Sequence, residues 1–481
     1  MVRTWRAAAT LLSFSLLTTC ATNPVTGKKE LSLVSESQEI SLGKEYAAEV
    51  AQSIGLYDDP AVQSYVMQLG RKLAAKTERP NLPWSFQVVD DPVVNAFALP
   101  GGFIFITRGI MTNMRNEAEL ATVIGHEIGH VTARHSVQQM SRAQVAQLGL
   151  GVGSILSSQV RKYGQAASTG LGVLFLKFGR DDETQADQLG FRYALNDNYD
   201  VREMARVFQT LQRVSQQGGG GGRLPQWLST HPDPENRIKA TERRVATLEP
   251  SRLSGTVTNE DAYLSHIDGM VYGENPRQGY FEGALFLHPD LKFQFEFPEG
   301  WKTQNQAQAV VGVSPEEDAI VQLSLGKGTS PSAAAQQFFG QEGMQAGQLS
   351  RNPINGNPAV SGSFTAQGQQ STLRGEAAFI SYGGATYQIL AYTGTDKFRS
   401  YDPAFRRTIG SFRHLTDQAA LNAQPMRVEL VKLARAMTLE QFNRQYPSSV
   451  PIEQVALINE VEVGGSFASG ETVKRVVGGR K

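Results

Sequence analysis

The stretch Val123-Ile124-Gly125-His126-Glu127-Ile128-Gly129-His130 constrains this chain more than any other. It reads His-Glu-x-x-His inside a helical pattern. Residues four apart on an α-helix lie one above the other, so His126 and His130 can turn both imidazoles toward one metal ion. Neutral imidazoles at that spacing suit zinc, which takes nitrogen ligands at about 2.0–2.1 Å. Glu127, beside the first histidine, can reach a water on the metal rather than the metal itself. A carboxylate there can accept the water's proton as it attacks a carbonyl. Two histidines on an exposed helix would match the same pattern by chance, so the flanks matter. Asn116 with Glu119 three residues on predicts a capped helix start. Leu120, Val123, Ile124, Ile128 and Val131 then form an apolar stripe. Gly125 and Gly129 each cost about 1 kcal/mol of helix propensity relative to Ala, which predicts a close approach to this helix's backbone. His135 reads as an ordinary exposed histidine, well round the helix from His130.

Two histidines need at least one more protein ligand, and two histidines with a glutamate are a recognised catalytic set. Glu183 and Asp187 share a helical face at i, i+4, so one can bind metal while the other orients a ligand histidine from behind. Asn95 to Ile106 reads as two short strands around Pro100-Gly101-Gly102. An exposed strand there can hold an extended peptide through main-chain hydrogen bonds. Further on, His231 is locked between Thr230 and Pro232, ahead of a helix carrying Arg237.

The 481 residues leave room for two or three domains. With 46 basic and 46 acidic residues the net charge is zero, so nothing favours a nucleic-acid partner. The single cysteine, Cys20, excludes an intrachain disulfide and a cysteine-rich metal cluster. Residues 1–19 carry Arg3 and Arg6, an apolar run from Ala7 to Leu17 and small polar residues, the layout of an export signal. The segment resembles a bacterial lipoprotein signal. That resemblance implies lipidation of Cys20, membrane attachment through it, and outer-membrane sorting from Ala21. Residues 20–35 then read as a tether.

The fold class expected is multidomain α+β. Residues 36–245 read as one domain. Residues 246–279 read as a polar linker, 280–415 as a separate α+β domain, and 425–478 as a small βααβ module. Within the first domain, the glycine-rich residues 143–178 read as a helical pair or lid near the site. The run of five glycines between Gln216 and Arg223 reads as a loop. In the second, Phe293 to Trp301 alternates as a strand, residues 333–345 look helical, and Glu376 to Tyr392 reads as a hairpin about Gly383-Gly384. His288 and His414 read as structural.

Asn95-Ala96-Phe97, His126-Glu127-Ile128-Gly129-His130, Glu183-Thr184-Gln185-Ala186-Asp187 and Ser229-Thr230-His231-Pro232 together resemble the M48 family of zinc metallopeptidases, and more closely its periplasmic lipoprotein members. The resemblance covers roughly residues 24–245 and implies a gluzincin-like, mainly helical domain with a small sheet, holding one zinc per chain. It makes His126, His130 and Glu183 the metal ligands, Glu127 the general base and Asp187 the residue behind a ligand histidine. Asn95 and Ala96 become the substrate-binding edge, with His231 and Arg237 near the metal. His231 then either stabilises the oxyanion or fills a fourth metal position and holds the enzyme latent. The implied activity is endopeptidase cleavage of misfolded or misassembled envelope proteins in the bacterial periplasm. A zinc-stabilised chaperone or assembly factor with low or latent activity is the alternative. Residues 425–478 resemble a degenerate LysM-like module, with Ala436-Met437 where the family carries Gly-Asp. Peptidoglycan contact is what that resemblance implies.

Overall fold

The protein was studied as a computed structural model, which describes residues 20–149, 178–217, 230–306, 308–367 and 372–479. The expected signal segment, most of the glycine-rich lid region and the five-glycine loop lie outside these residues. The chain begins with β1 (Cys20–Thr22) and β2 (Lys29–Leu31), paired antiparallel. The segment expected as a tether, residues 20–35, thus contains a strand pair. Asn23 is buried and donates to the Ala133 carbonyl at 3.3 Å, and Val25 packs against the first core.

Ser35 caps α1 (Glu36–Ser53) through a capping box with Gln38, and Asp59 caps α2 (Pro60–Ala74). A three-stranded sheet follows, of β3 (Ser85–Val89), β4 (Ala96–Leu99) and β5 (Phe103–Thr107) in the order β3-β5-β4. β3 and β5 are parallel, while β4 and β5 form the expected hairpin. Its turn needs Gly101 and Gly102, whose φ values are 77° and 103°. β4 is therefore an edge strand, and it runs along the metal-motif helix.

After α3 (Arg108–Asn113) comes α4 (Glu117–Thr132), started by the Asn116–Glu119 capping box. Among the described residues of this half there follow α5 (His135–Gly149), α6 (Arg180–Asn196), α7 (Glu203–Gln217), α8 (Pro234–Ala246), α9 (Pro250–Leu253) and α10 (Glu260–Ile267). The expected linker 246–279 includes α10, which packs on the helical half. Tyr263, Leu264 and Ile267 of α10 are buried in the same core as α2 and α4, and the Tyr263 hydroxyl donates to the Met111 carbonyl at 2.6 Å. Three apolar side chains on one face of a short polar helix were enough to dock it.

β6 (Val271–Tyr272) leads to β7 (Tyr280–Glu282), β8 (Leu285–His288) and β9 (Phe293–Glu296). Next come β10 (Lys302–Asn305), β11 (Ala309–Val313), β12 (Ala319–Leu325), α11 (Pro331–Phe339) and β13 (Met344–Ser350). The helix expected over 333–345 ends sooner, because Gly340 caps it and the chain turns into β13. β14 (Ala359–Gln367), β15 (Thr372–Tyr382) and β16 (Ala385–Gly394) complete a seven-stranded antiparallel sheet, β10-β11-β12-β16-β15-β14-β13. Gly383 and Gly384, at φ 57° and 82°, make its hairpin turn. α11 covers one face, and α12 (Phe398–Gly410) packs with Phe293, Phe295 and Phe297 on the other. β17 (Arg413–His414) then pairs with β9, and α13 (Gln418–Leu421) follows.

The last segment runs β18 (Met426–Lys432), β19 (Met437–Thr438), α14 (Leu439–Gln445), α15 (Ile452–Ile458), β20 (Ser466–Phe467) and β21 (Thr472–Gly478). β18 pairs with both β21 and β6, so this segment shares a sheet with the chain following α10. Buried Lys474 donates to the Met114 and Thr112 carbonyls at 2.7 and 3.2 Å, just ahead of α4. The protein is thus a multidomain α+β molecule whose last segment is docked beside the metal-motif helix. Among the described residues no helix is long and apolar enough to cross a membrane.

Candidate metal centre

The site begins with how closely two helices approach. A Cβ on Gly129 would sit 3.0 Å from the Ala186 carbonyl oxygen, and one on Gly190 would sit 2.7 Å from the His126 amide nitrogen. Gly125 faces Gly190 in the same way. The close approach expected from Gly125 and Gly129 is therefore made by α6. It carries Glu183 and Asp187 against the histidines of α4.

One ligand atom from each of His126, His130, Glu183 and His231 lies within 4.8 Å of the other three, all in buried side chains. His126 Nε2 is 3.0 Å from His130 Nε2 and 3.3 Å from His231 Nδ1, and His231 Nδ1 is 2.8 Å from Glu183 Oε1. Behind His126, Asp187 Oδ1 accepts from Nδ1 at 2.9 Å. A neutral imidazole protonated at Nδ1 presents a lone pair at Nε2. Two such nitrogens facing each other at 3.0 Å repel unless a cation lies between them. Glu183 Oε2 and Glu127 Oε1 are also buried without a hydrogen-bond partner among the described residues. This donor set fits a zinc ion.

The electrostatics point the same way. Burial, with Arg237 beside it, pushes the His126 imidazole down to about 3, which keeps it neutral. Burial pushes Glu127 up to about 7, with Glu183 adding to the rise. Burial would also raise Glu183, but His231, His130 and Arg237 outweigh it and hold the carboxyl well below its usual range. Against the same burial penalty, Arg237 and His126 hold Asp187 at about 2.

Arg237, on α8, donates from Nε and Nη2 to the two Asp187 oxygens at 2.9 and 2.6 Å. Its Nη1 is 3.4 Å from Glu183 Oε2, so its hydrogen-bonding edge is turned toward the carboxylates of α6. Asn95 precedes the edge strand and is buried, its Oδ1 without a partner among the described residues. Ala96 opens that strand, and the Ala98 amide lies against the Glu127 carboxylate. Cys20 stands apart, at the start of β1.

His135 differs from expectation. It is 2% exposed, its Nδ1 is 2.9 Å from His130 Nδ1, and its Nε2 is 2.9 Å from Gln185 Oε1. Burial, with His130 beside it, pushes its pKa down to about 4. The periodic reading assumed one continuous helix, whereas α4 ends at Thr132 and Arg134 takes a left-handed φ of 59°. No glycine marks that turn. The phenyl ring of Phe178, the last residue of the expected lid stretch, stacks on His130 at 4.1 Å between centroids.

A helix-borne histidine pair with a glutamate between, joined by a carboxylate from a second helix, is an arrangement able to hold a catalytic metal ion. Residues 60–245 match the model of Peptidase family M48. The Beta-barrel assembly-enhancing protease of Escherichia coli (strain K12) is 29% identical over 254 residues, 51% of this chain and 50% of that protein. Its Yersinia pestis counterpart is 31% identical over 237 residues, 47% of this chain and 48% of that protein. Mitochondrial metalloendopeptidase OMA1 of Arabidopsis thaliana is 29% identical over 213 residues, 44% and 41% of the two chains. The chain spans about half the length of the curated relatives it matches.

Proposed function

We propose that the protein is a zinc endopeptidase of the bacterial cell envelope with a gluzincin-like catalytic domain. His126, His130 and Glu183 hold the zinc. The observation that carries this reading is the convergence of their buried donor atoms beside a Glu127 oxygen that has no hydrogen-bond partner among the described residues. Bound there, zinc supplies Lewis acidity to the scissile carbonyl and acidifies the attacking water. Glu127 takes that water's proton and passes it to the leaving amine. Asp187 orients His126, and Arg237 holds Asp187 in place. β4, with Asn95 and Ala96 at its start, aligns an extended peptide along its free edge.

His231 takes the fourth position and keeps the resting enzyme latent. Its Nδ1 lies among the ligand atoms, 2.8 Å from Glu183 Oε1, which supports a blocking role over oxyanion stabilisation. The substrates are misfolded or misassembled envelope proteins, a reading supported by relatives named for β-barrel assembly. Lipidated Cys20 anchors the enzyme to the outer membrane, and the last segment contacts peptidoglycan.

The test is casein cleavage at matched zinc content by wild type, Glu127→Gln and His231→Ala. Glu127→Gln should keep zinc and lose on the order of 10²–10⁴-fold in rate, while His231→Ala should cut faster than wild type. Full activity in Glu127→Gln overturns the general-base role, and a loss in His231→Ala overturns the latch. A second reading, a zinc-stabilised assembly factor that cuts rarely, is supported by the burial of the site's side chains. It moves ahead if all three proteins are inert with zinc bound.

A further inference from the structure

The roles above leave one buried histidine unused. His135 lies five residues beyond His130, and on a continuous helix such side chains point about 140° apart. The left-handed Arg134 breaks the helix and turns His135 back. Arg134 is itself fixed, donating from Nε to Glu39 Oε2 at 3.0 Å and from Nη2 to the Val34 carbonyl at 2.9 Å. The His135 ring therefore meets the back of His130, 2.9 Å between Nδ1 atoms and 74° between ring planes.

The direction of this hydrogen bond follows from its far end. Gln185 Oε1 is an amide oxygen and only accepts, so His135 carries its hydrogen on Nε2. A neutral ring then offers a lone pair at Nδ1, and His130 must donate from its own Nδ1. That leaves His130 Nε2 as a lone pair on the side where His126 Nε2 and Glu183 converge.

We propose that His135 is a positioning residue for the metal site: it accepts the Nδ1 hydrogen of His130 and so fixes the tautomer and ring orientation with which His130 faces the ion. Gln185, two residues along α6 from Glu183, locks His135 in the accepting form. The inference rests on the reading that His126, His130 and Glu183 hold zinc. It gives the two ligand histidines unlike supports, a carboxylate behind His126 and a neutral imidazole behind His130. Charge explains the difference. Glu183 and Asp187, with Glu127 when it is ionised, balance Arg237 and a dication, and a further buried anion would be uncompensated.

The experiment measures zinc affinity of the full chain by chelator competition, with the visible spectrum of the cobalt-substituted protein as a second readout. His135→Leu removes the acceptor. His135→Asn keeps an oxygen at the position of Nδ1. The Leu variant should bind zinc about 10–100-fold more weakly and shift the cobalt spectrum, whereas the Asn variant should recover both. Gln185→Leu tests the same chain at a half-buried position, without opening a core cavity, and should also weaken binding. Wild-type affinity in His135→Leu overturns the proposal, as does equal loss in the Leu and Asn variants, which would mean packing alone. A wild type that binds no zinc overturns the peptidase reading, and this inference with it.

Discussion

At the centre of the α4–α6 pair lie His126, Glu127, His130, Glu183 and Asp187, none more than 4% exposed. On the two faces of the larger sheet are Phe379 and Ile389 of its own strands, with Phe295 of β9 and Phe405 of α12 packed against it, all 0% exposed. Burying the second set is favourable by itself, at about 1.5–3 kcal/mol for each large side chain. Burying the first is costly unless every charge is paired or bound to a metal. The helical half meets that cost with Arg237, the Asp187–His126 contact and the glycines that let α6 close on α4. The sheet half has no comparable cluster among the described residues. Stability and chemistry are thus separated in this chain, and substitutions should separate them again.

The largest effect is expected from Glu183→Ala. It removes a donor and leaves buried Arg237 with less counter-charge, so zinc affinity should fall beyond the roughly 100-fold typical of outer contacts. Stability of the helical half should drop by about 3–5 kcal/mol. Unchanged zinc content by metal analysis would remove Glu183 from the ligand set. Phe295→Ala should cost about 3–5 kcal/mol in the sheet half. Calorimetry should show that loss with zinc content unchanged, and a parallel loss of zinc would break the separation.

Gly190→Ala comes next, because its Cβ would meet the His126 amide nitrogen at 2.7 Å and backbone cannot swing aside. It should cost about 1–3 kcal/mol and weaken zinc binding as α6 is pushed off α4. A variant with wild-type melting and zinc affinity would show that the approach is not tight. The smallest effect concerns pH. Burial pushes His288 in the sheet half down to about 4, below the unfolded value of about 6.5. Between those values the unfolded chain binds more protons, so His288's contribution is complete above about pH 6.5 and is lost toward pH 4. Its ceiling is about 3 kcal/mol, which a partly exposed ring reaches only in part. Calorimetric melts from pH 7 to 4 should therefore show a shallower slope in His288→Gln than in wild type.

Local rules carried much of this molecule. The capping boxes at Ser35 and Asn116, the glycine hairpins and the strand at Phe293 follow from interactions spanning a few residues, and the sequence displays them directly. The i, i+4 spacing that aims His126 and His130 at one point is of the same kind. So is the warning in Gly125 and Gly129, although it named no partner. What stayed illegible depends on packing between distant segments. Residues 20–35 and 246–279 look polar in sequence, yet a few apolar or amide side chains dock them because complementary surfaces wait elsewhere. Lys474 reaches the start of α4 from the far end of the chain.

By itself, then, the sequence determined the helix that carries the two histidines, the glutamate between them and the acidic helix able to complete the set, because helical periodicity acts over single turns. Only the tertiary structure decided which atoms converge. It placed His231 Nδ1 beside Glu183, committed Arg237 to Asp187, and brought His135 behind His130 through a left-handed turn at Arg134 that no glycine announces. That turn is stabilised by Glu39 and the Val34 carbonyl, contacts roughly a hundred residues away, and no local pattern records them.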